Sequence, residues 1–162
     1  MLEGIRSIAL ELREASEPCW DEQTISPKYL PIDKSKPISA GHCAPSSIVL
    51  LRKLRREFPN ELFSLAIGQV LWLKQPLHIA IDYHVWVQWH EEPFKRTWII
   101  DITADQGDGI NEPVLLALME DLTRERGLAY QSYQSTEDEN RIKPAALARA
   151  EVLSVRIGDD KR

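Results

Sequence analysis

The sequence predicts an α+β domain in which helices pack on an antiparallel sheet. Three observations carry that expectation. Apolar residues recur at helical spacing over Leu2, Ile5, Ile8, Ala9, Leu12 and Ala15, and again over Ile48, Leu51, Leu54 and Phe58. The run His78–His90 alternates residue by residue, the period of a strand. A short apolar run, Thr97–Asp101, follows it after the turn-forming Glu91-Glu92-Pro93-Phe94-Lys95, as the return strand of a hairpin would.

The elements follow in chain order. The first helix covers Leu2 to Ala15 and stops at Pro18. Glu17 to Ala40 holds prolines at 18, 27, 31 and 37 and shows no period, so it reads as a long loop, a kind of segment that often carries function. A helix over Ser46–Phe58 is stopped by Pro59-Asn60, and Phe63–Leu73 reads as a strand. In the alternating run, Ile79, Ile81, Tyr83, Val85, Val87 and Trp89 share one face. Ala80, Asp82, His84, Trp86, Gln88 and His90 share the other, more polar one, which makes a half-buried strand. After Gly107-Asp108-Gly109, Asn111 or Glu112 caps a helix that runs through Val114-Leu115-Leu116 to about Glu125, with Gly127 as its stop. Gln131–Asn140 reads as loop, Pro144–Leu153 as a last short helix, and Gly158–Arg162 as a charged, frayed end.

At 162 residues the chain is long enough for one well-buried core, and a single domain over 1–162 is expected. A net charge of −5 gives a nucleic-acid partner no electrostatic support. The basic cluster Arg52-Lys53-Leu54-Arg55-Arg56 falls at helical spacing and reads as a solvated helix face rather than a phosphate grip. No run of eighteen apolar residues is present, so no membrane partner is expected. Met1-Leu2-Glu3-Gly4-Ile5-Arg6 lacks the basic-then-apolar order of a secretory signal, and two cysteines make no disulfide framework. A reduced, cytoplasmic setting is the expectation, with export by a signal-less route left open.

Chemistry-bearing residues collect in the middle of the chain. Cys43 lies where Pro-rich sequence gives way to an apolar helical run. Gly41 frees the entering backbone, and Pro45 suits a first helical turn. A thiol at a helix N-terminus faces unpaired N–H groups and the positive end of the dipole, both of which favour the nucleophilic thiolate. His84 falls mid-strand, and a hairpin return brings Asp101 back toward it. Cys43, His84 and Asp101 form a nucleophile, base and orienter set. Asp82 competes as the orienter, but adjacent same-face side chains on a strand point in parallel, which favours Asp101. Taken singly, Cys43 reads better as a small buried side chain, His84 as a satisfied core histidine and Asp101 as a strand-end cap; it is their order and spacing together that favour the set. Six-residue steps between His78, His84 and His90 separate neighbours by about 20 Å along a strand, so they do not share a metal ion, and no metal site is expected.

Three local patterns carry a family resemblance. Gly41-His42-Cys43 ahead of a helix is similar to a Gly-x-Cys nucleophile motif. Asp82-Tyr83-His84-Val85-Trp86 is similar to a histidine strand with His-Val-Trp. Trp98-Ile99-Ile100-Asp101-Ile102-Thr103-Ala104-Asp105-Gln106 is similar to a Trp-x-x-x-Asp-x-Thr-x-x-Gln segment. In this order the chain resembles the transglutaminase-like, papain-fold superfamily of cysteine enzymes over a core of about 41–106. Ala44-Pro45 departs from the bulky residues that often follow the family's cysteine. No EF-hand-type acidic loop is visible, and the chain has no room for the accessory β-domains of animal transglutaminases.

The resemblance implies a papain-like core whose nucleophile-bearing helix packs on an antiparallel sheet. It implies that Cys43 attacks an amide carbonyl of a protein or peptide substrate, with His84 as base and acid and Asp101 as its orienter. A thioester intermediate would be resolved by water or by an amine, with no cofactor. An oxyanion formed there takes the Cys43 N–H as first donor; the second, by resemblance, is an upstream Gln or Trp, here Gln23 or Trp20. Two further readings stay open: a non-catalytic transglutaminase-like module that binds a partner, and acyl transfer of the arylamine acetyltransferase kind. The sequence does not fix the oligomeric state.

Overall fold

The computed structural model describes residues 1–159 and is α+β, with four helices and a five-stranded antiparallel sheet. Helices α1 (Leu2–Ser16) and α2 (Cys43–Glu57) precede strands β1 (Leu62–Trp72), β2 (His78–Glu91), β3 (Arg96–Asp101) and β4 (Leu115–Leu118). Helix α3 opens at Met119–Asp121 and widens to π geometry over Leu122–Arg126; β5 (Leu128–Thr136) and α4 (Pro144–Ile157) complete the chain. The sheet order is β4-β3-β2-β1-β5. Among the described residues, no helix is long and apolar enough to cross a membrane.

Both faces of the sheet are covered. Leu65, Val85, Val87 and Ile100 pack with Leu12 of α1, Ile48 and Leu51 of α2 and Leu153 of α4. On the other face Ala66, Trp86, Ile99 and Tyr130 pack with Ile110, Leu122 and the residues around β4. The half-buried strand expected over His78–His90 is therefore buried on both sides through its middle, because the segment after β3 folds back over the face that holds Trp86. The simple alternation also breaks where the β1–β2 register shifts, between Gly68 and Val70 and again between Val70 and Leu71. Gly68 pairs with His84 but Val70 pairs with Ile81, so an extra β2 residue bulges out. Ile81 thereby joins the Trp86 layer instead of the Val85 layer.

Three expectations about elements are corrected. The helix expected from Ser46 begins at Cys43, so the cysteine is its first residue and Pro45 its third. The helix expected through Val114-Leu115-Leu116 is a strand over Leu115–Leu118. Pairing with Trp98–Asp101 takes those residues, and the helix starts only at Met119. The loop expected from Gln131 is mostly strand: β5 pairs with β1 from Leu65↔Thr136 to Trp72↔Leu128. The last helix extends to Ile157, closed by Gly158 in the left-handed conformation. Asp159 pairs with Arg56, and the remainder of the expected frayed end, 160–162, lies outside the described residues. Of the other basic residues of α2, Arg52 is salt-bridged to Glu139 and Glu151, and Arg55 bonds the Phe63 carbonyl.

Gly41 sets the start of α2. Its φ of +82° belongs to the left-handed region, and a Cβ there would meet Ile25 Cγ1 at 2.7 Å and the Tyr29 ring at 2.9 Å. Gly41→Ala is expected to lose roughly 1–3 kcal/mol of stability in urea unfolding, from backbone strain and displaced side chains. A loss indistinguishable from zero would show that the loop before Cys43 relaxes freely.

Candidate functional site

β3 pairs with β2 from Glu91↔Arg96 to Val87↔Ile100. One step further along the same register, Asp101 comes level with Trp86, so His84 is its diagonal neighbour on the same face, within reach of a long side chain. His84 Nε2 donates to Asp101 Oδ2 at 2.6 Å, and both side chains are fully buried. The competing Asp82 is exposed.

Asp101 holds a saturated set of donors. Its Oδ2 also accepts from the Tyr130 hydroxyl at 2.9 Å. Its Oδ1 accepts from the Thr103 N–H at 2.9 Å and the Thr103 hydroxyl at 3.1 Å. Burial opposes ionisation of Asp101, but His84, Thr103 and Tyr130 together hold its carboxyl below the usual range. Burial likewise disfavours an imidazolium at His84. The Asp101 carboxylate and its hydrogen bond, with a smaller contribution from the Cys43 thiol, outweigh it and push His84 up to about 10. The ring is packed against Trp86, centroids 5.8 Å apart.

With Nε2 held by Asp101, Nδ1 is the nitrogen left to address a neighbour. Gln106, whose amide donates to the Thr103 carbonyl at 2.9 Å, lies 3.3 Å from it. Cys43 is 5% exposed at the head of α2. Ser47 of the same turn donates to the Val85 carbonyl at 2.8 Å, which ties this end of the helix to β2 beside His84. No side chain caps α2, so the Cys43 N–H stands at an open helix start among the described residues.

Upstream, the indole of Trp20 stacks on His42 (centroids 5.2 Å, 13° between planes) and carries the Arg13 guanidinium over its ring at 4.7 Å. Buried Arg13 forms a two-point pair with Asp105, both contacts 2.8 Å, and bonds the Ile102 carbonyl, so α1 grips the segment just after Asp101. Burial drives His42 down to about 4, keeping it neutral at pH 7. Of the two upstream residues named from sequence as oxyanion donors, Trp20 already donates to a neighbour, while Gln23 is engaged only through its side-chain oxygen. Trp20 Nε1–H donates to Ser46 Oγ at 3.1 Å, and exposed Gln23 takes a hydrogen bond from Arg156.

The structure thus brings Cys43, His84 and Asp101 to one locality, and it adds residues that the sequence reading did not assign. Tyr130 comes from β5, whose polar outer half hid a strand. Arg13 comes from α1, where one charge on an apolar helix face was the available signal. Gln106 stood in the quoted Trp-to-Gln segment without a role. A thiol beside an imidazole whose far nitrogen is fixed by a carboxylate can pass its proton to that ring and act as a nucleophile. Among the described residues, no three His, Cys, Asp or Glu side chains are grouped to hold a metal ion. Comparison with protein-family models, curated proteins and solved structures finds no match for this chain.

The two buried histidines give stability opposite pH slopes. His84, raised above its unfolded value of 6.5, contributes fully below that pH and loses its contribution as pH climbs toward about 10. His42, lowered to about 4, contributes above 6.5 and loses its contribution as pH falls toward 4. Urea unfolding is expected to show greatest stability near pH 6.5, with each limb approaching about 1.4 kcal/mol per pH unit at its steepest. His84→Gln should flatten the alkaline limb and His42→Gln the acid limb. An alkaline limb unchanged in His84→Gln would contradict the assignment.

Proposed function

We propose that the chain is a cysteine-dependent amide-bond enzyme of the papain-like, transglutaminase-like kind, with Cys43 as nucleophile, His84 as base and acid, and Asp101 as orienter. The observation that carries this reading is the fully buried His84–Asp101 pair at 2.6 Å, with the Cys43 thiol acting on the same imidazole. A buried ion pair is a poor way to stabilise a core, since apolar side chains of equal volume often do as well or better. Strongly shifted buried groups beside a thiol are what nucleophilic catalysis requires.

In this mechanism the thiol proton rests on His84, whose raised pKa favours the imidazolium, and the Cys43 thiolate Sγ adds to the substrate carbonyl carbon. The oxyanion is met by the Cys43 N–H at the uncapped helix start. The C–N bond breaks as His84 returns its proton to the leaving amine, and a thioester remains. Water then attacks, giving its proton to His84, and the thiol is released by reprotonation; a substrate amine in place of water gives transamidation. Asp101 keeps Nε2 protonated and Nδ1 toward the thiol, while Tyr130 and Thr103 hold Asp101 in place.

Thiol reactivity tests this directly. Cys43 is buried and Cys19 is more open, so exposure alone predicts that iodoacetamide labels Cys19 first. The proposed mechanism predicts the reverse: Cys43 alkylated at least tenfold faster at pH 7, read by peptide mass spectrometry, with the advantage lost in His84→Gln. Release of ammonia or amine from glutamine-containing peptides should fall by about 10²–10⁴ in His84→Ala and be abolished in Cys43→Ala, with unchanged circular dichroism. If Cys43 reacts no faster than Cys19, the nucleophile reading fails and a partner-binding module becomes the better account.

A further inference from the structure

A cavity of about 310 Å³ opens beside Cys43, and its charge is one-sided. Cys43, Ala44 and Gly41 form one side; Ile48, Ile67, Val85 and Ile142 make an apolar floor. Lys28, Arg141, Lys143 and Arg149 stand on its wall, and no Asp or Glu lines it. This holds in a chain whose net charge is −5. Exposed Asp82 acts on Tyr29 from outside the lining.

These cations are also uncommitted. Among the described residues, none of the four forms a salt bridge, whereas Arg13, Arg52, Arg56, Arg96, Arg124, Arg126 and Arg156 all do. Arg149 goes further: its Nε is buried with no hydrogen-bond partner. A buried guanidinium N–H left unpaired costs free energy, and an anionic acceptor in the cavity would relieve it. The Lys28 ammonium lies over the Tyr83 ring at 4.5 Å and the Tyr29 ring at 5.0 Å, which holds that charge at the cavity mouth. Tyr29, Tyr83 and Lys28 line the same cavity as Cys43, so this wall and the thiol belong to one space.

Resting on the reading of Cys43 as nucleophile, we infer that the substrate segment bound here is a short peptide pairing an apolar side chain with a carboxylate. The apolar side chain packs on the Ile48–Val85 floor, and the carboxylate is received by Arg149 with Lys143 and Arg141. The carboxylate comes from a peptide C-terminus or from an acidic side chain, which share this recognition chemistry.

Binding can be tested apart from catalysis in the Cys43→Ala protein. Three probes are titrated and followed by NMR at the Arg149 Nε–Hε and at the Ala145 and Ala146 amides. They are N-acetyl-leucine, with a terminal carboxylate; N-acetyl-leucyl-glutamyl amide, with a side-chain carboxylate; and neutral N-acetyl-leucinamide. At least one carboxylate probe is expected to bind at least tenfold tighter than the neutral one, and the stronger of the two identifies the source of the anion. Arg149→Gln should remove the preference at the Ala145 and Ala146 amides. Lys143→Gln, at an exposed side chain that leaves the fold undisturbed, should weaken it and lessen its salt dependence. Equal binding of all three probes, or of none, overturns the inference. So does inorganic phosphate binding as tightly as the best peptide, which would make this a bare anion site. Slow iodoacetamide labelling of Cys43 would defeat the catalytic reading while leaving these titrations interpretable, so the two failures are distinguishable.

Discussion

The pairing of His84 with Asp101 at zero exposure is the constraint that much of this structure answers to. Two ionised groups removed from water lose several kcal/mol of solvation each unless every remaining lone pair and proton is met. Here the carboxylate receives four hydrogen bonds, from His84, Tyr130 and both donors of Thr103. Those requirements reach into the topology. Tyr130 is delivered by β5, which must therefore pair with β1 at the edge away from β3. Thr103 is delivered by an abrupt turn straight after β3, and Gln106 closes that turn by bonding the Thr103 carbonyl. A sheet ordered otherwise would leave the carboxylate short of a donor.

The helix that carries Cys43 is fixed from the opposite side by contacts that converge on the same turn. Arg13 grips Asp105 and the Ile102 carbonyl, so α1 is fastened to the segment that shapes the Asp101 environment. The same guanidinium lies over Trp20, Trp20 stacks on His42, and His42 is the residue before Cys43. A chain of packed side chains thus runs from the orienter's turn to the nucleophile's helix. His42 stays neutral there: its Nδ1 shares a buried contact with the Thr24 hydroxyl at 3.2 Å, and burial outweighs the pull of the Asp21 carboxylate toward the charged form. Two buried histidines 42 residues apart therefore hold opposite protonation preferences, one beside an aspartate and one beside an indole.

Much of this was legible in the sequence wherever the signal was local. The alternation of β2, the turn at Glu91–Lys95 and the apolar return strand were enough to bring Asp101 toward His84, and the two share a hydrogen bond. What depended on distant partners was not legible. The run Val114–Met119 is apolar throughout and suits helix or strand equally. Pairing with β3 decides for strand, and only the left-handed Gly127 that ends α3 matched a local cue. β5 is an edge strand whose outer half, Gln131–Ser135, is exposed, so its polarity imitates a loop; its partner β1 lies some 65 residues earlier. The bulge that moves Ile81 across the sheet lies next to Gly68, which also packs closely on β5. A Cβ there would come within 1.9 Å of the Gln131 carbonyl oxygen, a contact set by β5 on the far side of β1.

The distribution of charge around Cys43 completes the picture. On the His84 side, the charges are internally matched, buried and closed off by Trp86 and Tyr130. On the cavity side, four cations stand around an apolar floor without acidic partners among the described residues. A folded chain left to satisfy only itself tends to pair such groups, as this one does with most of its arginines. Paired charge on one side and unpaired charge on the other gives the thiol a proton acceptor that is already neutralised and a neighbouring space that is not. In the proposed mechanism this asymmetry separates two tasks: the inner pair governs protons, and the outer cations select what approaches. Either could be altered without rebuilding the other, because Asp101 and Arg149 share no hydrogen-bond partner among the described residues.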